Sequence, residues 1–124
     1  MIIKGKKYKY RLNNQDFHCA LDVTMHYIGG KWKTVVLWYL IKQKRRFGEL
    51  KALIPDITDK MLSLQLKSLE EDGIIKRTVF PEVPPRVEYE YTENGKSIIP
   101  VIEAIAKWGR QKAETEGRMV KFGN

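Results

Sequence analysis

Three side chains with nucleophilic or metal-binding chemistry, His18, Cys19 and His26, crowd into one short segment, DFHCALDVTMHYI at residues 16–28. On a helix, Cys19 and His26 are seven residues apart and share a face. Two turns separate them by about 10.5 Å, however, beyond hydrogen-bond reach, so the imidazole cannot serve as base for the thiol. His18 lies on a different azimuth. One cysteine and two histidines make a poor zinc set, and neither a paired-carboxylate cluster nor a phosphate-cradling glycine loop stands out. Catalysis, a metal and a cofactor are therefore not expected. What remains for Cys19 is reactivity of its own. With Asp16 as the N-cap of a first helix, Cys19 falls in the first turn, where the positive end of the helix dipole favours a thiolate. The competing reading is a small buried apolar group beside Ala20, Leu21 and Val23.

A second kind of chemistry, recognition rather than reaction, is written into ITDKMLSLQLKSLEEDG at 57–73. Thr58 is a good N-cap, Leu62, Leu66 and Leu69 recur as one buried stripe, and Gly73 is a stop signal. The opposite face carries Lys60, Ser63, Leu64, Lys67 and Glu71. Its first half is basic and hydroxylated and its second half acidic, which suits a helix whose first turns meet phosphates and base edges. Leu64 can touch a thymine methyl. Any solvated helix face also carries Lys and Ser, so the surrounding elements must decide.

Those elements follow in quick succession. A first helix over the 16–28 segment ends at Gly29-Gly30. WKTVVLWYLI is apolar nearly all round, as a buried central helix would be. FGELKALI places Phe47, Leu50, Leu53 and Ile54 at helical spacing before Pro55. After the fourth helix, IIKRTVF and RVEYEYT read as an antiparallel pair, with Val87, Tyr89 and Tyr91 alternating against Arg86, Glu88 and Glu90. The connecting stretch holds Pro81, Pro84 and Pro85, which stiffen it, and Arg86, which would carry charge at its tip. Helix, helix, helix, hairpin, helix is the layout of a winged helix-turn-helix, a mostly α fold with a β-hairpin wing. Arg46, Arg77 and Arg86 are its expected phosphate or minor-groove contacts. In the last segment, KSIIPVIEAIAKWGRQKAETEG, the apolar side made of Ile98, Val101, Ile102, Ile105 and Trp108 is wide for the edge of a small fold. A partner helix from a second subunit would cover it; packing on its own domain is the alternative.

Composition bounds the partners. The 124 residues suit one domain, and no run approaches the ~20 apolar residues of a membrane span. The single cysteine and the lack of a signal peptide point to a cytoplasmic protein. Lys and Arg number 23 against 15 Asp and Glu, a formal net charge of +8. Nucleic acid is the leading partner, an anionic membrane surface the second, and a basic protein without a polyanion the third. Residues 1–15 hold five cations and no acid and read as a basic, flexible arm; 16–117 form the domain and 118–124 a tail. The KGKKYKYR run lacks an amphipathic helical face, which argues against a membrane role.

IGGKW at 28–32, RFGEL at 46–50, IPDITDKMLSLQLKSLEEDGIIKR at 54–77, VPPRVEYEYTENG at 83–95 and WG at 108–109 together resemble the HxlR family of bacterial transcriptional regulators. The resemblance implies a winged-helix homodimer on operator DNA, with dimer contacts from the first and last helices. Family members often carry a cysteine followed by proline just before the first helix, and in some it senses oxidants or electrophiles. Here Cys19 is followed by Ala20. The expectation is a homodimeric repressor on double-stranded DNA, reading an inverted-repeat operator, with an effector of unknown identity and Cys19 as sensor candidate. The alternative is a basic module that binds DNA or an anionic surface and senses nothing.

Overall fold

The computed structural model describes residues 2–121, so Met1 of the expected arm and residues 122–124 of the expected tail lie outside the described residues. The chain opens with two small antiparallel hairpins, β1 (Ile2–Ile3) with β2 (Lys6–Lys7), and β3 (Tyr10–Leu12) with β4 (Gln15–Phe17). Their two-residue turns, Lys4-Gly5 and Asn13-Asn14, all sit at positive φ, between 50° and 76°. Two successive left-handed residues define the turn whose twist matches paired strands, and Asn and Gly enter that region most readily. This corrects the expected helix start. Asp16 is not an N-cap but a strand residue opposite Arg11, whose guanidinium it holds at 2.6 Å. The arm is hairpin rather than free coil, and the β3–β4 pair crosses the boundary expected between residues 15 and 16. Helix α1 (Ala20–Ile28) begins one turn later, with Cys19 at its N-cap position in extended backbone.

Helix α2 (Lys33–Leu40) supplies the centre of the core, with Val36 and Leu37 at 0% exposure. Around it pack Ile28, Leu50, Leu62, Leu66, Leu69, Ile75 and Ile102. Burial is not all-round as its composition suggested, since Trp38 stays 38% exposed. The last carbonyls of any helix lack intrahelical partners. Here the Tyr91 hydroxyl donates to the Leu37 carbonyl at 2.6 Å, and Arg45 Nε donates to that of Tyr39 at 2.7 Å. Burial, and secondarily the Glu103 carboxylate, pushes the Tyr91 phenol well above its ordinary range, so it remains a donor.

Helices α3 (Phe47–Leu53) and α4 (Asp59–Glu71) are joined by a turn whose Ile54 and Ile57 are buried. Lys51 Nζ reaches across it to the carbonyls of Pro55, at 3.2 Å, and Ile57. Thr58 caps α4 by accepting from the Met61 N–H at 3.0 Å, a contact worth about 1 kcal/mol. At the far end Gly73 takes φ +73°, its N–H donates to Glu70, and the Ile74 N–H donates to Leu69. This left-handed stop buries Ile74 beside Leu69 and turns the chain into the wing.

The wing pairs β5 (Ile75–Phe80) with β6 (Arg86–Tyr91) in unbroken register from Ile75 opposite Tyr91 to Phe80 opposite Arg86. Arg45 and Tyr89 exchange backbone hydrogen bonds at 3.0 and 2.8 Å, adding a one-residue third strand. A 3-10 turn (Gly95–Ile98) then leads into α5 (Ile99–Glu116), which packs back on α2. Pro100 stands in its first turn, where no amide partner is needed.

Candidate nucleic-acid interface

The buried stripe of Leu62, Leu66 and Leu69 fixes the rotation of α4, and the face it turns outward is the one expected from spacing. Lys60, Ser63, Leu64 and Lys67 are all exposed, with Thr58 at the capped end. Among the described residues Lys60, Lys67 and Arg77 form no ion pair. Leu64 is 50% exposed in the middle of this polar face. Leucine is a good helix former and a single exposed leucine is ordinary, but at this position it also offers an apolar contact to a surface of base edges. Arg46 is exposed at the start of α3, where its backbone N–H donates to Glu49 Oε1 at 2.8 Å.

Arg86 departs from expectation. Its guanidinium lies over the Phe80 ring at 4.1 Å and between Glu82 and Glu88, at 3.4 and 3.8 Å. It stiffens the hairpin from within instead of offering a cation at the tip. Glu88, which strict alternation put on the solvent side, is only 8% exposed, covered by Arg86 and by Lys44 at 3.5 Å. The alternation was sound for a two-stranded ribbon, but Arg45 adds an edge that carries Lys44 over that face. Residues 75–91 hold three cations and three carboxylates, so the wing as a whole is neutral. Lys76 faces Glu90 at 3.9 Å, while Arg77 stays exposed. Sequence reasoning missed Arg45, Lys51 and Thr92. All three act on backbone carbonyls, and nothing in their spacing marks that role.

The apolar side of α5 splits in two. Ile102 is 2% exposed and Ile98 packs on the same core, so these two residues serve their own subunit, a correction to their place in an intersubunit seam. Val101, Ile105 and Trp108 stand out at 38%, 46% and 67% exposure. Leu21 and Met25, one turn apart on α1, are exposed to 74% and 50%. An open groove of about 310 Å³ between Trp38 and Tyr39 of α2 and Ile105 of α5 continues this apolar surface.

Cys19 is half-buried and makes no capping hydrogen bond with its side chain. Asp22 brings a carboxylate to the same helix end, accepting from the His18 N–H at 3.0 Å. His26 is packed edge-on against Phe17 and Tyr27 at 5.2 and 5.0 Å, an aromatic role that accounts for it. Among the described residues no group of three or more His, Cys, Asp or Glu could hold a metal ion, and no helix is long and apolar enough to cross a membrane.

Known proteins share this arrangement. The family model for the HxlR-like helix-turn-helix matches residues 27–117. An HTH-type transcriptional regulator of Methanothermobacter thermautotrophicus is 48% identical over 99 residues, covering 80% of this chain and 76% of that protein. The HTH-type transcriptional regulator YdeP of Bacillus subtilis is 44% identical over 110 residues, 88% of this chain and 86% of its own. Among solved structures, the redox regulator HypR in its oxidized form superposes with a TM-score of 0.74 at 41% identity, covering 82% of this chain and 100% of that one.

Proposed function

The chain belongs to the HxlR-like helix-turn-helix family, DNA-binding transcriptional regulators rather than enzymes, and from that premise we propose that it is a homodimeric repressor reading an inverted-repeat operator through α4. The observation that carries this reading is the outward face of α4. Two lysines that form no ion pair among the described residues, a serine and a half-exposed leucine line one side of a helix whose rotation the core sets. Lys60 and Lys67 neutralise phosphates, Ser63 and Leu64 meet base edges, and Thr58 holds the first turn against the backbone. Arg46 and Arg77 add flanking phosphate contacts.

Selection of binding sites from random duplex DNA tests the reading directly, and an inverted repeat should emerge. In the Lys60→Ala/Lys67→Ala variant the slope of log affinity against log salt should fall by about 0.9 for each phosphate that is no longer neutralised. A wild-type slope and affinity in that variant would remove α4 from the interface.

Cys19 is the proposed entry point for a redox or electrophile signal. Its partial exposure at the start of α1 supports this, as does the likeness to a structure described as a redox regulator. With one cysteine per chain, a two-electron oxidant can join Cys19 only to the same residue of a second subunit or to a small thiol. Mild oxidant should therefore change operator affinity in wild type and leave Cys19→Ser unaffected, with the product identified by non-reducing gel and intact mass. Identical binding before and after oxidation assigns Cys19 to packing.

A further inference from the structure

The positive charge of this protein is not where a basic wing would put it. The wing is neutral and Arg86 is engaged inside it, whereas the first 15 residues carry five cations and no acid. This segment precedes the 27–117 region matched by the family. It is also not a loose tail. Two tight hairpins shape it, Phe17 at 3% exposure anchors it, and the Phe17 ring packs on His26 of α1. Among the described residues Arg11 alone of its cations forms an ion pair, with Asp16, whose carboxylate also feels the charge of Lys9. Between the hairpins runs an open groove of about 790 Å³ lined by Ile2, Lys7, Tyr8, Lys9 and His18. Successive strand side chains point to opposite faces, so Lys6 turns away from the side that Lys7 gives to this groove.

We propose that the N-terminal double hairpin is a second DNA-contacting element, a cationic ribbon whose Lys7–Lys9 groove receives the phosphate backbone of the bound duplex. The inference rests on the DNA-binding reading above and adds to it a contact that supplies affinity without sequence information. A lysine at the groove wall neutralises phosphate and releases its condensed counterion. The hairpin turns set the backbone positions of the lysines, while their exposed side chains are ordered only on binding. A double-stranded polyanion matches this surface better than a membrane does, because the apolar groups that would enter a bilayer are Ile2 and Ile3 on two-residue strands, too small a face to insert.

The test is a salt titration of DNA affinity, by fluorescence anisotropy on the full chain, with both the selected operator and a scrambled duplex. In Lys7→Gln/Lys9→Gln the slope should drop by about 3.6 for the dimer on both duplexes, roughly 0.9 for each of the lysines lost from its two subunits, with the preferred sequence unchanged. Lys7→Arg/Lys9→Arg should keep the wild-type slope, and Lys6→Gln should leave it nearly intact. Equal slopes for wild type and the glutamine pair overturn the proposal. So does an equal drop per charge for Lys6→Gln, which would reduce the effect to net charge. A fall to monomer by light scattering makes the ribbon a clasp between subunits. Capture by vesicles of anionic lipid, abolished in the glutamine pair while the DNA slope holds, makes it a membrane contact. Absence of any preferred site in wild type defeats the operator reading instead, and the scrambled duplex still decides this one.

Discussion

Gly95→Ala should cost roughly 3 kcal/mol of stability and lower Tm by about 10–15 °C, although the added methyl alters no residue of the outward face of α4 and changes no charge. A Cβ built at Gly95 would lie 1.9 Å from the Ile74 carbonyl oxygen and 2.7 Å from its carbon, both backbone atoms that cannot swing aside. The closeness is imposed by a hydrogen-bonded clasp. Thr92 donates its hydroxyl to the Gly73 carbonyl at 2.6 Å and accepts from the Gly95 N–H at 2.8 Å, while the Thr92 N–H donates to Ile74 at 3.0 Å. Through these contacts the end of α4, the end of β6 and the start of α5 meet at one point. An alanine must push the α4–β5 junction away and break the clasp, or strain it. Thr92→Val keeps the shape and removes the hydroxyl, so it should cost less, about 1–2 kcal/mol. Thermal unfolding of both variants checks this, and a Gly95→Ala Tm within about 2 °C of wild type would show that the junction yields freely.

Ile105→Glu should convert the protein to monomer and abolish operator binding together. Val101, Ile105 and Trp108 form an exposed stripe on α5, and Leu21 and Met25 form another on α1. An apolar surface of this kind on a small chain is covered most simply by its own copy about a twofold axis. The same operator would then set two α4 helices about 34 Å apart, one turn of DNA, or a multiple of it. The symmetry doubles the substitution, placing two carboxylates in one seam. An uncompensated buried charge costs about 3–5 kcal/mol, which is at least about a hundredfold in the dimerisation constant. Since Ile105 is already 46% exposed in the subunit, the fold itself should survive, as circular dichroism can verify. Multi-angle light scattering at micromolar concentration and a gel-shift titration read the two effects. A dimeric, DNA-competent Ile105→Glu protein moves the seam elsewhere, and a monomeric wild type removes it.

Much of this molecule was legible without coordinates, and the reason is periodicity. Leu62, Leu66 and Leu69 recur at the spacing of a helix with one buried side, so the rotation of α4 and the exposure of Lys60, Ser63, Leu64 and Lys67 follow from the order of residues alone. The capped start at Thr58 and the left-handed stop at Gly73 are equally local, each decided by hydrogen bonds within one turn. The same holds for the hairpin wing and for the sequence of elements that defines the winged helix-turn-helix. Local signals were misjudged in one place. Asn13-Asn14 is a turn pair in its own right, and it outweighed Asp16 as a helix cap because the strands it joins also secure Phe17 in a buried site. What only the tertiary structure decided depends on neighbours distant in sequence. Arg86 and Glu88 look like outward charges on an alternating strand until the Lys44–Arg45 segment closes over one face. Ile98 and Ile102 look like half of a seam until α5 settles on α2 and takes them into the subunit's core, leaving Val101, Ile105 and Trp108 outside. A periodic pattern tells which side of an element is apolar, but how much of that side its own domain can cover is a matter of three-dimensional packing, which no spacing along the chain contains.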